Sequence, residues 1–171
     1  MKKFLLILLA CIVVYHIGEY IYIRQQVQNL CKKEAGVFIY VTPEQWREEN
    51  TDKLKNIVKY KYDEGKELAR KLDKMEIDNL LYKPNQVYTS RTTFYFTEEK
   101  VNKFTSKYSE ILVDNETKQV LLKYSRFSTG VGKWFQGTAS SYKFWMNEVP
   151  NCGDLFLHDF IEIGSKYNQF N

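Results

Sequence analysis

The stretch KYSEILVDNETKQVLLKYSRFS, Lys107 to Ser128, decides the fold. In its first arm, Lys107 to Asp114, Tyr108, Glu110 and Leu112 fall on one side of an extended chain, and Ser109, Ile111 and Val113 on the other. A period of two belongs to a strand, whose successive side chains point to opposite faces. Asp114-Asn115-Glu116-Thr117 then supplies side chains that hydrogen-bond their own backbone and favour a turn. The second arm, Gln119 to Ser128, returns with Val120, Leu122 and Tyr124 expected on one face. Two alternating arms around a turn make an antiparallel hairpin.

Working outward, Arg91 to Thr97 (RTTFYFT) and Gly36 to Val41 are rich in the branched and aromatic residues of strands. Trp134-Phe135 and Tyr142 to Met146 are expected to add one or two more. Thr42-Pro43-Glu44-Gln45 reads as a helix start, with Thr as cap, Pro in the first turn and Gln closing a capping box. Beyond a break near Asn50, Leu54, Ile57, Val58, Lys61, Gly65, Leu68, Leu72 and Met75 recur at three- and four-residue steps. That spacing predicts one amphipathic helix of about 24 residues. Lys83-Pro84-Asn85 reads as a breaker, and Leu155 to Ile163 fits either a helix or a strand. The fold class is therefore α+β: an N-terminal transmembrane helix, then one domain in which a long amphipathic helix packs on an antiparallel sheet.

The N-terminal segment holds a choice. Leu8-Leu9-Ala10-Cys11 has the form of a lipobox, but the apolar run continues past the cysteine to Ile23, where a lipoprotein normally turns polar. Phe4 to Ile23 is twenty residues, about 30 Å as a helix, the thickness of a hydrocarbon core. Tyr20 and Tyr22 suit the interface, and Glu19 lies near enough the end to reach headgroups. An uncleaved signal-anchor over residues 1–23 is the favoured reading; cleavage, or lipid on Cys11, stays open. Lys2 and Lys3 place the N-terminus in the cytoplasm, against the weaker opposing pull of Arg24, Lys32 and Lys33. Residues 24–35 are then juxtamembrane, and 36–171 form the extracytoplasmic domain. His16, inside the span, is cheap to carry as a neutral ring and needs no role.

The chain has 171 residues and a formal net charge of +4, with 27% charged and 44% apolar residues, which suits a folded domain with its own core. Between positions 42 and 83 there are ten acidic and ten basic residues. That interleaving lacks the basic face of a nucleic-acid binder, so nucleic acid is not an expected partner. Outside the span the cysteines are Cys31 and Cys152. An isolated pair in an oxidising compartment is expected to form a disulfide.

Leu30-Cys31, Lys33 and Gly36, followed by Asp114, Thr117, Val120 and Leu121 in the hairpin and by a late cysteine, resemble a group of small bacterial envelope proteins with a hydrophobic N-terminus. The resemblance covers about a quarter of the chain. It implies an envelope location and a shared domain, and no activity.

Motifs for chemistry are thin. Ser140-Ser141-Tyr142-Lys143 has the S-x-x-K spacing of penicillin-recognising enzymes, but the remaining motifs are out of order and the chain is too short for that fold. Gly130-Val131-Gly132-Lys133 is no phosphate loop, since Phe127 stands at the required glycine and Trp134 at the magnesium-binding hydroxyl. Asp154, His158 and Glu162 would share one face of a helix, yet a single His with two carboxylates is a poor zinc set; no metal or cofactor is expected. Trp134, Phe135, Tyr142, Phe144 and Trp145 are the densest aromatic cluster. They serve either as core or as a recognition surface, where such rings are favoured anchors.

These readings converge on a non-enzymatic, single-pass protein of a bacterial inner membrane, its domain in the periplasm. Its expected partner is another envelope or membrane protein, which it binds as an immunity or inhibitor protein or as an accessory subunit. The alternatives are a small envelope hydrolase using Asp154, His158 and Glu162, and a wall- or glycan-binding module using the aromatic cluster.

Overall fold

A computed structural model describes residues 2–129, 152 and 154–169. Helix α1 (Lys2–Glu34) leads into β1 (Gly36–Ile39), the short helices α2 (Pro43–Glu49), α3 (Thr51–Leu54) and α4 (Tyr62–Ala69), and strands β2 (Met75–Ile77), β3 (Leu80–Val87), β4 (Thr92–Lys100), β5 (Thr105–Asp114) and β6 (Val120–Thr129); α5 (Asp154–Lys166) follows. The strands make one six-stranded antiparallel sheet in the order β1-β6-β5-β4-β3-β2. The expected α+β class holds.

The hairpin forms where its alternation placed it. Thr105 pairs with Thr129, and the register runs up to Leu112 opposite Leu122. One step further Val113 faces Val120, so Leu121 is an extra residue on β6. Such a bulge shifts the face of what precedes it. Val120 was expected beside Leu122 and Tyr124; instead it packs with Tyr82, Tyr95, Ile111 and Val113 on the opposite side of the sheet, while Leu121 and Leu122 both enter the main core.

That core lies between the sheet and helices α2 and α5. Val41, Trp46, Phe94, Leu112, Leu121, Leu122, Tyr124, Phe160 and Tyr167 are its buried members among the described residues. Helix α2 starts as read, with Thr42 Oγ1 accepting the Gln45 backbone N–H and the Gln45 side chain returning to the Thr42 N–H. The 155–163 segment is helical, and α5 sends Leu157, Phe160 and Ile163 inward at helical steps.

The long helix expected between Leu54 and Met75 does not form. Residues 57–60 leave the helical path to join the strands: the Ser90 N–H donates to the Val58 carbonyl at 2.8 Å, and the Tyr60 N–H donates to the Tyr88 carbonyl at 3.0 Å. β-Branched Ile57 and Val58 favour this extended route. Helix α4 occupies only Tyr62–Ala69, and Met75 opens β2. Apolar residues at three- and four-residue steps were shared by three elements rather than one. Lys83-Pro84-Asn85, expected to break the chain, lies inside β3. β2 pairs only as far as Tyr82, and the β3–β4 register shifts between Pro84 and Gln86, so the missing N–H of Pro84 falls at a bulge beyond its neighbour.

Helix α1 runs unbroken for 33 residues, about 50 Å. It is long and apolar enough to cross a membrane, and none of its most apolar window is buried. Its C-terminal third is different. Ile23 and Val27 are buried with Tyr20, Cys31 and Phe104 around them. Lys107 pairs with Glu34 at 2.6 Å, and Asn102 donates to Gln26 at 3.1 Å. Cys31, in the last turns, is joined to Cys152 as expected. Cys152 in turn exchanges two backbone hydrogen bonds with Phe127 of β6.

Candidate functional site

Among the described residues, a dense polar constellation forms where α2 meets the hairpin turn. The Asp114 carboxylate accepts the Trp46 indole N–H at 2.7 Å and the Arg91 guanidinium at 2.6 Å on Oδ2. Its Oδ1 accepts the backbone N–H groups of Glu116 and Thr117 at 2.9 and 3.1 Å. Arg91 also donates to Asn50 at 2.8 Å and to Glu116, which takes a second cation from Lys53. Asn50 closes the circuit through the Trp46 carbonyl at 2.7 Å.

Burial alone would raise the Asp114 carboxyl, but Arg91, Trp46 and the two backbone N–H groups outweigh it and hold the group below the usual carboxylate range. Both oxygens are engaged by the protein itself. The constellation is a clamp that fixes the turn against α2, with no lone pair presented to a substrate. Sequence reading missed it, because Arg91 and Trp46 lie 23 and 68 residues from Asp114 and only the Asp114 turn has a local signature.

The sequence-named candidates fare differently. Trp134, Phe135, Tyr142, Phe144 and Trp145 lie outside the described residues, as do Ser140, Lys143 and the Gly130–Lys133 stretch. His158 and Glu162 are exposed on α5, and Glu162 pairs with Lys166 at 3.2 Å. Among the described residues no three metal-ligating side chains come together.

What the described residues do present is a sheet that ends at β1. Among the described residues, β1 is the last strand on its side and pairs with β6 alone. The outer edge of such a strand carries backbone groups ready for another chain. Phe38, Ile39 and Tyr40 are 41%, 48% and 58% exposed there, unusual for three successive large apolar residues. Beside them a groove of about 570 Å³ runs between β1 and α5, with Phe156 and Ile163 as apolar wall and Asp159, Glu162 and Lys166 on its rim. An apolar strip with charged margins is the anatomy of a protein-binding surface. Its signal was visible as the β-type run Gly36 to Val41, but exposure of that run depends on which strand ends the sheet.

No protein-family model matches the chain, and neither a curated protein nor a solved structure matches it.

Proposed function

We propose that this chain is a membrane-anchored domain, held on the outer side of a bacterial inner membrane, that binds another envelope protein through the β1 edge. The β1 edge, open among the described residues and with Phe38, Ile39 and Tyr40 exposed, carries the proposal. An extended segment of the partner would add a strand to β1, with main-chain hydrogen bonds for affinity and apolar side chains seated in the groove beside α5. The partner's charges would complement Asp159, Glu162 and Lys166. Three features support the location. The exposed apolar part of α1 has the length of a span. Lys2 and Lys3 precede it, which favours a cytoplasmic N-terminus. The Cys31–Cys152 bond belongs in an oxidising compartment. Inhibition of an exported toxin and support of a membrane complex are both binding roles that such a surface serves.

A photo-crosslinking amino acid placed at Phe38 or Tyr40 in cells should trap one discrete membrane or envelope protein. The same group at Leu81, exposed on β3 towards the opposite edge of the sheet, should not. Identical adducts from all three positions, or none from Phe38 and Tyr40, would remove the β1 edge as the binding surface. Release of the chain from membranes by carbonate would remove the anchor independently.

A further inference from the structure

On the other flank of α5, away from the β1 groove, a cleft of about 450 Å³ opens over β3, β4 and β5. This volume lies in the range of small-molecule sites. Its walls are apolar: Phe94 and Phe160 meet edge to face at 5.1 Å, Tyr88 meets Phe94 at 4.9 Å, and Leu157 completes the α5 side.

Two polar groups in the cleft have no hydrogen-bonding partner among the described residues. Gln86 is only 4% exposed. Its Nε2 donates to the Tyr62 and Val87 carbonyls at 3.1 and 3.4 Å, which fixes the amide's orientation. The buried Oε1 then meets no donor among the described residues, a costly state for an acceptor. Glu110, in the same lining, forms no hydrogen bond or ion pair with the described residues. The nearby cations are occupied: Lys66 donates to Asn85 at 2.6 Å, and Arg126 lies over the Tyr108 ring at 5.2 Å. Burial pushes the Glu110 carboxyl up, against the pull of Arg126 and Lys66, so a cation brought to it would favour its ionised form.

The register sets these groups apart in a useful way. Gln86 faces Phe94 across β3–β4, and Glu110 faces Phe96 across β4–β5, so both side chains stand on one face with β4 between them. Two strand spacings across and two residues along the strands separate their backbones, about 12 Å, with the Phe94 ring between them. A ligand that satisfies both must bring donors at two ends of an apolar body. Rings beside a carboxylate suit an organic cation.

We propose that this cleft binds a small aryl-alkyl amine. Its ring packs against Phe94, Phe160 and Leu157, a hydroxyl or N–H at one end donates to Gln86 Oε1, and its ammonium meets the Glu110 carboxylate. The site is distinct from the β1 edge and takes a different class of ligand.

The test is calorimetric titration of the full-length chain in detergent with three probes: 4-hydroxyphenethylammonium, phenethylammonium and 4-hydroxyphenethyl alcohol. The first should bind most tightly. Loss of the hydroxyl should weaken binding about fivefold, and loss of the ammonium about tenfold or more, as expected for a neutral and a charge-assisted hydrogen bond. Glu110→Gln should erase the preference for the ammonium over the alcohol, and Gln86→Leu the preference for the hydroxyl. Because Gln86 also holds α4 to β3, that variant could lose its fold; the comparison of probes on the unaltered chain decides without it. Equal affinity for all three probes, no heat up to about 10 mM, or an ammonium preference that survives Glu110→Gln would overturn the proposal.

Discussion

At the scale of single residues, the side chain on which most else depends is Asp114, because it holds four donors from three different parts of the chain. Removing one partner of a buried charged pair strands the other, so Asp114→Ala should cost about 3–5 kcal/mol by leaving Arg91 uncompensated. Trp46→Phe removes one hydrogen bond to a charged group and leaves a cavity in the core, and should cost about 2–5 kcal/mol. The carboxyl is held below its ordinary range when folded. Its contribution is therefore fully present above the ordinary carboxylate pKa and is lost as pH falls through the depressed one. Thermal melts from neutral to acid pH should show a steep fall below about pH 4, and Asp114→Asn should flatten it. A variant with the same acid slope as the unaltered chain would assign that slope elsewhere. Here sequence reading recognised the turn but not the clamp: Asp114 announces its turn locally, whereas nothing near Arg91 announces the Asp114 it pairs with.

At the scale of elements, what was legible followed from local rules. The hairpin was read from its alternation and the α2 start from its capping box, and both depend on neighbours within a few residues. The 54–75 segment failed because helical spacing does not say whether one element or three uses it, and the deciding hydrogen bonds go to Tyr88 and Ser90. The β2–β3 turn was overlooked although Asp78 and Asn79 carry it with φ of 53° and 61°, the conformation a two-residue hairpin favours. Two glycines show how elements constrain residues for different reasons. A Cβ on Gly65 of α4 would lie 2.1 Å from the Val87 carbonyl oxygen, so the helix sits directly on β3. Gly36, between α1 and β1, has open space around it but a φ of 133°. Gly65→Ala should therefore cost about 1–3 kcal/mol or more, and Gly65→Ser still more, since the penalty is overpacking. Gly36→Ala and Gly36→Ser should each cost about 1–3 kcal/mol and match one another, since that penalty is backbone alone. Denaturant midpoints for the four variants would check this; equal losses at Gly65, or unequal ones at Gly36, would reverse the assignment.

At the scale of the whole molecule, the Cys31–Cys152 bond connects features that the sequence holds far apart. The pairing was legible from counting, since only two cysteines lie beyond the apolar segment. What it joins was not legible, because that depends on α1 continuing past the apolar run and packing Ile23 and Val27 against the domain. The candidate surfaces were hidden for the same reason: which strand ends the sheet, and which side chains α5 leaves uncovered, are properties of the assembled topology. The bond ties the last turns of α1 to a residue bridged to Phe127, and so fixes the helix to β6 at the end where Lys107 already holds Glu34. It closes 121 residues, for which the chain-entropy model gives a stabilisation of about 4–5 kcal/mol. Cys31→Ser and Cys152→Ser should accordingly lower the melting temperature by the same large amount. Reductant should bring the unaltered chain down to the level of the variants and leave the variants unmoved. On non-reducing gels the unaltered chain should run as a compact monomer that slows on reduction, and neither variant should shift. Two thiols free to alkylation in the folded protein, or a melt indifferent to reductant, would mean the ends are held by packing at α1 and β6 alone. Helix α1 and the domain would then be free to separate when that packing opens, whereas with the bond intact a pull on the helix passes directly into the strand beside the β1 edge.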